Sequence, residues 1–509
     1  MLYRLLLALA AASVATANND KPLTSKLGPV VDLGYTAFLG NTSRPGIDFF
    51  GGIPYIQPPV KDLRWRAPQG LDEKWKPSPQ RELADARNFG SICIQQPAVV
   101  GVGVEDCVTL NIWKPSSATQ NSKLPVVVYI HGGGNYYNSA QGFPMDQWVN
   151  VTGGQIIAVS IQYRVRPYTS TASSLCLTPK PSLLSQLGLL GFLASETLMK
   201  DGTANAGLLD QRASFEWLQR HVASFGGDPN KITISGESSG GGSVVNHLIW
   251  KGGNVTPPFQ NAFAEILDHR PQPLCKYLPI VDGEIIQDIP TKMIAQGRFA
   301  KVPVMAGHTT NDGTGFTGSP TQVTNDTQLY SALTSSRYTL LTKETFNKAL
   351  ALYPLSSFSS YYDMAQTLVG NTEFTCLGWF IVNKTASYGV PAFNYRHQRM
   401  LKVSTSKLLL DITGLTALRT VDVFRAFNAT EQPLAKEAIS YWTSFARNAN
   451  PSVNRAELSP EWSAGPASRI VIQEGNSTVT TASVMEAVPE EYKARCAFWM
   501  TVANEETRI

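Results

Sequence analysis

The sequence predicts an α/β fold with a large, mostly parallel central sheet covered by helices. Three observations point there. Continuous apolar, β-branched runs occur at residues 125–132 (PVVVYIHG), 155–164 (QIIAVSIQYR) and 231–235 (KITIS), as expected of strands buried on both faces. Helical stretches separate the runs, the clearest at 208–225 (LLDQRASFEWLQRHVASF). The third run leads directly into a serine flanked by glycines, followed by a second helix-like segment.

Taken in order, residues 1–17 combine one Arg, an apolar Leu/Ala run and the small pair Ala15 and Ala17. This is a secretory signal peptide, too short to span a bilayer comfortably and followed by no basic stop-transfer segment. Residues 18–509 contain no linker and are expected to form a single domain. The 125–132 strand ends on a histidine and three glycines. Residues 302–309 (VPVMAGHT) and 392–397 (AFNYRH) continue the sheet, and 437–452 forms a helix that Pro451 stops.

Composition excludes several function classes. Hydrophobic residues make up 43% and charged residues 16%, with a net charge of +4 spread without a basic stripe; the chain is globular and nucleic acid is a poor partner. Its six histidines and six cysteines form neither HExxH nor CxxC, so no metal is expected. The even cysteine count and seven N-x-[ST] sequons, at Asn41, Asn150, Asn254, Asn325, Asn383, Asn428 and Asn476, suit an exported, disulfide-bonded glycoprotein.

Gly236-Glu237-Ser238-Ser239-Gly240 matches G-x-S-x-G, in which glycines permit the sharp strand-to-helix turn that raises a serine hydroxyl above the sheet. The amide of Ser239 would then lie at a helix N-terminus, where partial positive charge favours an oxyanion. His131-Gly132-Gly133-Gly134 supplies a side-chain-free loop whose amides can approach a carbonyl oxygen. An ordinary turn accounts for either motif alone; both, each after its own strand and in this order, point to a serine hydrolase.

At these motifs the chain resembles the type-B carboxylesterases and lipases. The likeness extends through FFGGIPYIQPPVKDLRWRAP (49–68), EDCVTLNIWKP (105–115), LGLLGFL (187–193), NAGLLDQRASFEWLQRHVASFGGDPNKITISGESSGG (205–241), PIVDGEII (279–286) and RCAFW (495–499). The resemblance implies an α/β-hydrolase fold, disulfides Cys93–Cys107 and Cys376–Cys496, Ser238 as nucleophile, and an oxyanion hole of Gly133, Gly134 and Ser239. It also implies that Asp312, in Gly307-His308-Thr309-Thr310-Asn311-Asp312-Gly313, is the acid that orients a histidine. The substrate would be a small-molecule ester, neutral and apolar, and the chemistry needs no cofactor.

The chain departs from the family pattern in three places. The base histidine is expected within 414–427 (GLTALRTVDVFRAF), where Arg419 stands instead; a guanidinium stays protonated and cannot take the serine proton. Of the other histidines, His397 is structural in the family, His247 lies about 13 Å of helix rise from Ser238, and His131 shapes the oxyanion loop. Residues 165–186 interrupt an otherwise continuous QYRLGLLGFL and read as a retained intron or a Pro- and Ser-rich surface loop. The tract from His247 to Pro279 is short, and Cys275 has no evident partner. Three functions stay open: ester hydrolysis, a catalytically silent binding protein, and a natural-product tailoring enzyme performing transacylation or lactonisation. Oligomeric state is not legible.

Overall fold

Val126, Val128 and Ile130 pack into one hydrophobic cluster and Val127 and Tyr129 into another. A run of consecutive apolar residues produces this in a strand covered on both sides, because successive side chains point to opposite faces. The computed structural model describes residues 23–76, 80–95, 102–165, 191–194, 200, 202–266, 279–335, 338–398 and 428–502. A small sheet is built from β1 (Val30–Asp32), β2 (Ala37–Leu39) and β5 (Leu83–Asp85). The main sheet takes β3 (Asn41–Arg44), β4 (Ile47–Pro54), β6 (Thr109–Pro115), β7 (Leu124–Ile130), β8 (Ile157–Ile161) and β9 (Gly227–Ser238). It continues with β10 (Asn261–Ile266), β11 (Val304–Thr309), β12 (Ala392–Gln398), β13 (Ser468–Gln473) and β14 (Val484–Ala487).

Its order is β14-β13-β12-β11-β10-β9-β7-β8-β6-β4-β3. From β8 through β13 all neighbours are parallel, and the edges are antiparallel. The chain passes from β7 to β8 on one side and then to β9 on the other. That reversal opens a crevice beyond the carboxyl ends of β7 and β9, the usual ligand site of such sheets.

Helices α2 (Ala206–His221), α3 (Ser239–Leu248), α4 (Pro290–Ala295) and α8 (Cys376–Ser387) supply the first cluster. The opposite face is covered by α1 (Asp146–Val151) and α9 (Glu431–Asn448). A third cluster joins α5 (Asp326–Thr334), α6 (Lys343–Leu350), α7 (Tyr361–Gly370) and α10 (Glu490–Val502). The helix expected from residue 437 begins earlier, at Glu431: Pro433 sits in its first turn, where a missing N–H costs nothing. It also ends earlier, at Asn448, with Ala449 left-handed at φ 53°.

Cys93–Cys107 and Cys376–Cys496 are both bonded, the latter tying α8 to α10 across 120 residues. Arg164 is fully buried, its guanidinium forked onto Asp210 at 2.7 and 2.6 Å and also donating to the carbonyls of Arg64 and Arg66. Gly191 lies against it: a Cβ there would stand 2.1 Å from the Arg164 carbonyl oxygen. The chain therefore leaves at residue 164 and returns at 191 to the same point. The interruption at 165–186 falls within that excursion and lies, from 166 onward, outside the described residues, as do residues 1–22, Cys176, Cys275 and Arg419. Among the described residues no helix is long and apolar enough to cross a membrane.

Candidate active site

Ser238 ends β9 and caps α3. Its backbone, at φ 58° and ψ −129°, lies in a region that side-chain-bearing residues rarely occupy, which costs about 1–3 kcal/mol unless the surroundings enforce it. They do. A Cβ on Gly236 would fall 2.4 Å from the carbonyl of Gly240, and one on Gly240 would fall 2.1 Å from the Ile130 carbonyl oxygen. The motif glycines are thus required by close packing of β7, β9 and the first turn of α3. That turn leaves the Ser239 amide among the unpaired donors of a helix N-terminus.

The glycine loop after β7 lies directly over the serine. A Cβ on Gly132 would stand 3.4 Å from Ser238 Oγ and 2.8 Å from Ser238 Cβ. Gly133 adopts φ 112°, and Gly133 and Gly134 leave room for the Tyr137 carbonyl and the Tyr136 ring respectively. The Asn135 amide donates to Ser239 Oγ at 3.2 Å, clamping the loop to the start of α3. Gly133 and Gly134 thus lie between Gly132, which meets Ser238, and Asn135, which is bonded to Ser239.

His131 serves this loop. Its Nδ1–H donates to the Gly132 carbonyl at 2.9 Å and the Tyr163 hydroxyl donates to the His131 carbonyl at 2.6 Å, with the two rings stacked at 4.4 Å. Burial pushes its pKa down to about 4, so it is neutral.

Asp312 lies in the turn after β11. One carboxylate oxygen accepts from the Thr309 amide at 2.9 Å and the other from the Thr309 hydroxyl in a short bond. Burial, reinforced by the charge of Glu237, raises its pKa to about 6 against the opposing Thr309 bonds. The His397 carbonyl, opposite Thr309 in the parallel β11–β12 register, accepts from the Thr310 amide at 3.0 Å and buttresses the same turn.

Three further residues adjoin Ser238 and Asp312 that no sequence motif singles out by role. Glu237, the variable residue of the serine motif, is buried and accepts from the Tyr129 hydroxyl at 3.3 Å. Glu265 sits opposite it on β10, also buried, accepting from the Tyr395 hydroxyl at 3.4 Å. Thr309 holds Asp312. Only the T-x-x-D spacing of Thr309 and Asp312 was readable beforehand; the pairing of Glu237 with Glu265 depends on strand register.

The other described histidines lie elsewhere, His221 beside Glu73 at 3.0 Å. His247 Nε2–H donates to Gln211 at 3.0 Å, and its ring packs between Phe215 and Trp250. His308 accepts at Nε2 from Arg469 at 3.3 Å, on the sheet face away from Thr309, with its pKa pushed down to about 3 by burial and the arginine. His397 is three strands from Ser238 in the sheet, about 14 Å at ordinary strand spacing.

The sequence model of the Carboxylesterase family matches residues 27–173, 186–262 and 256–499. The chain belongs to this family, and the break in the match falls within the 165–186 interruption. The crystal structure of Aspergillus niger EstA superposes with a TM-score of 0.78 at 27% identity, covering 95% of this chain and 99% of that one. The para-nitrobenzyl esterase of Bacillus subtilis (strain 168) is 25% identical over 472 residues, 81% of this chain and 88% of its own length. Lipase 1 of Geotrichum candidum is 32% identical over 243 residues, 41% of this chain, and the aligned part spans 38% of that lipase. The fold is the α/β-hydrolase fold.

Proposed function

We propose that this chain is a secreted serine hydrolase of carboxylic esters. Ser238 Oγ attacks the ester carbonyl, the oxyanion is held by the amides of Gly133, Gly134 and Ser239, the alcohol departs, and water releases the acid from the acyl-enzyme. Asp312 is the carboxylate for the base. The observation that carries this reading is the elbow itself: a strained serine lying so close beneath Gly132 that a Cβ on that glycine would stand 3.4 Å from its hydroxyl. Strain of that kind persists where geometry at the hydroxyl matters. The substrate is a neutral ester with apolar groups, which suits a chain without a strong charge field and a role in natural-product chemistry. A leader at 1–17 and two disulfides support passage through an oxidising compartment. The test is covalent labelling of folded protein with an alkyl phosphonate ester, read by peptide mass mapping. A single adduct on Ser238 is expected, and unlabelled, correctly folded protein would refute the proposal.

Arg419 favours a second reading, a scaffold that binds an ester or a partner without turning it over. The two are separated by Arg419→His. If the guanidinium stands where a base is needed, short-chain ester hydrolysis should rise at least about 100-fold, a modest part of what a triad member contributes. Equal, substantial rates in both forms would show that position 419 is not the base site.

A further inference from the structure

Away from Ser238, an open cleft of 620 Å³ is lined by Thr324, Asn325, Asp326 and Thr327 together with Leu350, Pro354, Leu355, Met364, Tyr353 and Tyr361. Its size falls in the range of about 300–1,000 Å³ typical of small-ligand sites. None of these residues belongs to the catalytic apparatus described above. The lining combines hydroxyl, amide and carboxylate groups with aliphatic side chains. Leu355 is 51% exposed there, although the helices around it bury a full hydrophobic cluster.

Three of the polar lining residues form a sequon, Asn325-Asp326-Thr327. Asn325 is exposed and caps α5, its Oδ1 accepting from the Gln328 amide at 3.0 Å. The cap commits the oxygen and leaves Nδ2, the atom that glycosylation modifies. Asn41 differs: its Nδ2 donates to the Arg87 carbonyl in a short bond, so its amide is already engaged. Asp326 is held in place by the Tyr361 hydroxyl at 2.7 Å.

We infer that Asn325 carries an N-linked glycan and that the cleft is the seat of its first sugars. An N-acetylglucosamine pair has what the lining asks for. Its C–H face and acetyl methyl cover Leu355 and Pro354, and its hydroxyls and amide meet Asp326, Thr324 and Thr327. In the modification, Nδ2 displaces a polyprenyl diphosphate from C1 of the incoming sugar. The N–C bond forms as the C–O bond breaks, and the amide proton leaves to the transferring enzyme's base. The glycan then acts as an intramolecular ligand for the α5–α7 region, stabilising the fold without ordering a second molecule.

The inference rests on the secretory reading only for its natural occurrence, so the full chain is produced both with its own leader and behind a heterologous secretion leader in a glycosylating host. Glycopeptide mapping and thermal unfolding are the readouts. Asn325 should be occupied, and Asn325→Asp, which keeps a capping oxygen but accepts no sugar, should lower Tm by about 2 °C. Asn476→Asp, in an exposed loop, should not change Tm. Trimming to the single proximal sugar should retain part of the gain, and Leu355→Ser should remove the gain while leaving occupancy intact. With the heterologous leader, an unmodified Asn325 beside a modified Asn476 overturns the inference, as does unmodified protein throughout. So does an Asn325→Asp protein as stable as the glycosylated parent. Failure of the native leader alone to export the chain counts against secretion and leaves the seat to be judged by the other arm.

Discussion

Ser238 and Asp312 are both held in states that cost stability. The serine's positive φ would be unstrained in glycine, so Ser238→Gly should raise the unfolding free energy by about 1 kcal/mol while abolishing phosphonate labelling. Asp312 carries the second cost. Its folded pKa, raised to about 6 from 3.8, means that the native state binds the proton more tightly than the unfolded chain. This contribution is fully present below pH 4, is lost as pH rises toward 6, and is absent above that. Asp312→Asn should therefore be more stable than the parent at pH 7 by about 1–2 kcal/mol, allowing for partial burial, with the difference vanishing near pH 3. Urea unfolding across that range measures it. The serine and the glycines were legible from spacing alone because each follows a strand. The committed state of His131 was not, since its partner Tyr163 comes from beyond β8, and the two Thr309 bonds to Asp312 showed only as a T-x-x-D spacing within one turn.

At the scale of elements, the strands were legible wherever burial on both faces made them continuously apolar, and blurred at their ends. β9 begins at Gly227 and not at the KITIS run, because its early residues pair with β7 across an irregularity that hydropathy does not record. α9 begins before its recognisable apolar stripe for the reason already given for Pro433. The meeting of Arg164 and Gly191 was foreshadowed only as an interrupted motif, yet it carries a firm expectation. A segment whose ends touch can be removed without stretching its neighbours. Deletion of residues 166–186, which leaves the buried Val165 in place, should give soluble protein with Tm within about 3 °C of the parent and undiminished labelling of Ser238. A collapse of expression would show that the segment is part of the core.

For the whole molecule, three hydrophobic clusters are coupled by one sheet and by the Cys376–Cys496 bond. That bond closes a loop of 120 residues, for which chain entropy gives about 4–5 kcal/mol. Replacing both cysteines by serine should lower Tm markedly, whereas the equivalent pair of changes at Cys93 and Cys107, which close 14 residues, should cost less, about 3 kcal/mol. Calorimetry on the two double variants checks the order. The pairing was available from family likeness. That it fastens the outlying helices α5–α7 and α10 to the sheet through α8 became visible only with the fold.

The same bond changes what a protease would leave behind. Should one peptide link anywhere between Cys376 and Cys496 be cut, the two polypeptides would still migrate as a single species on a denaturing gel, and would part only once dithiothreitol is added.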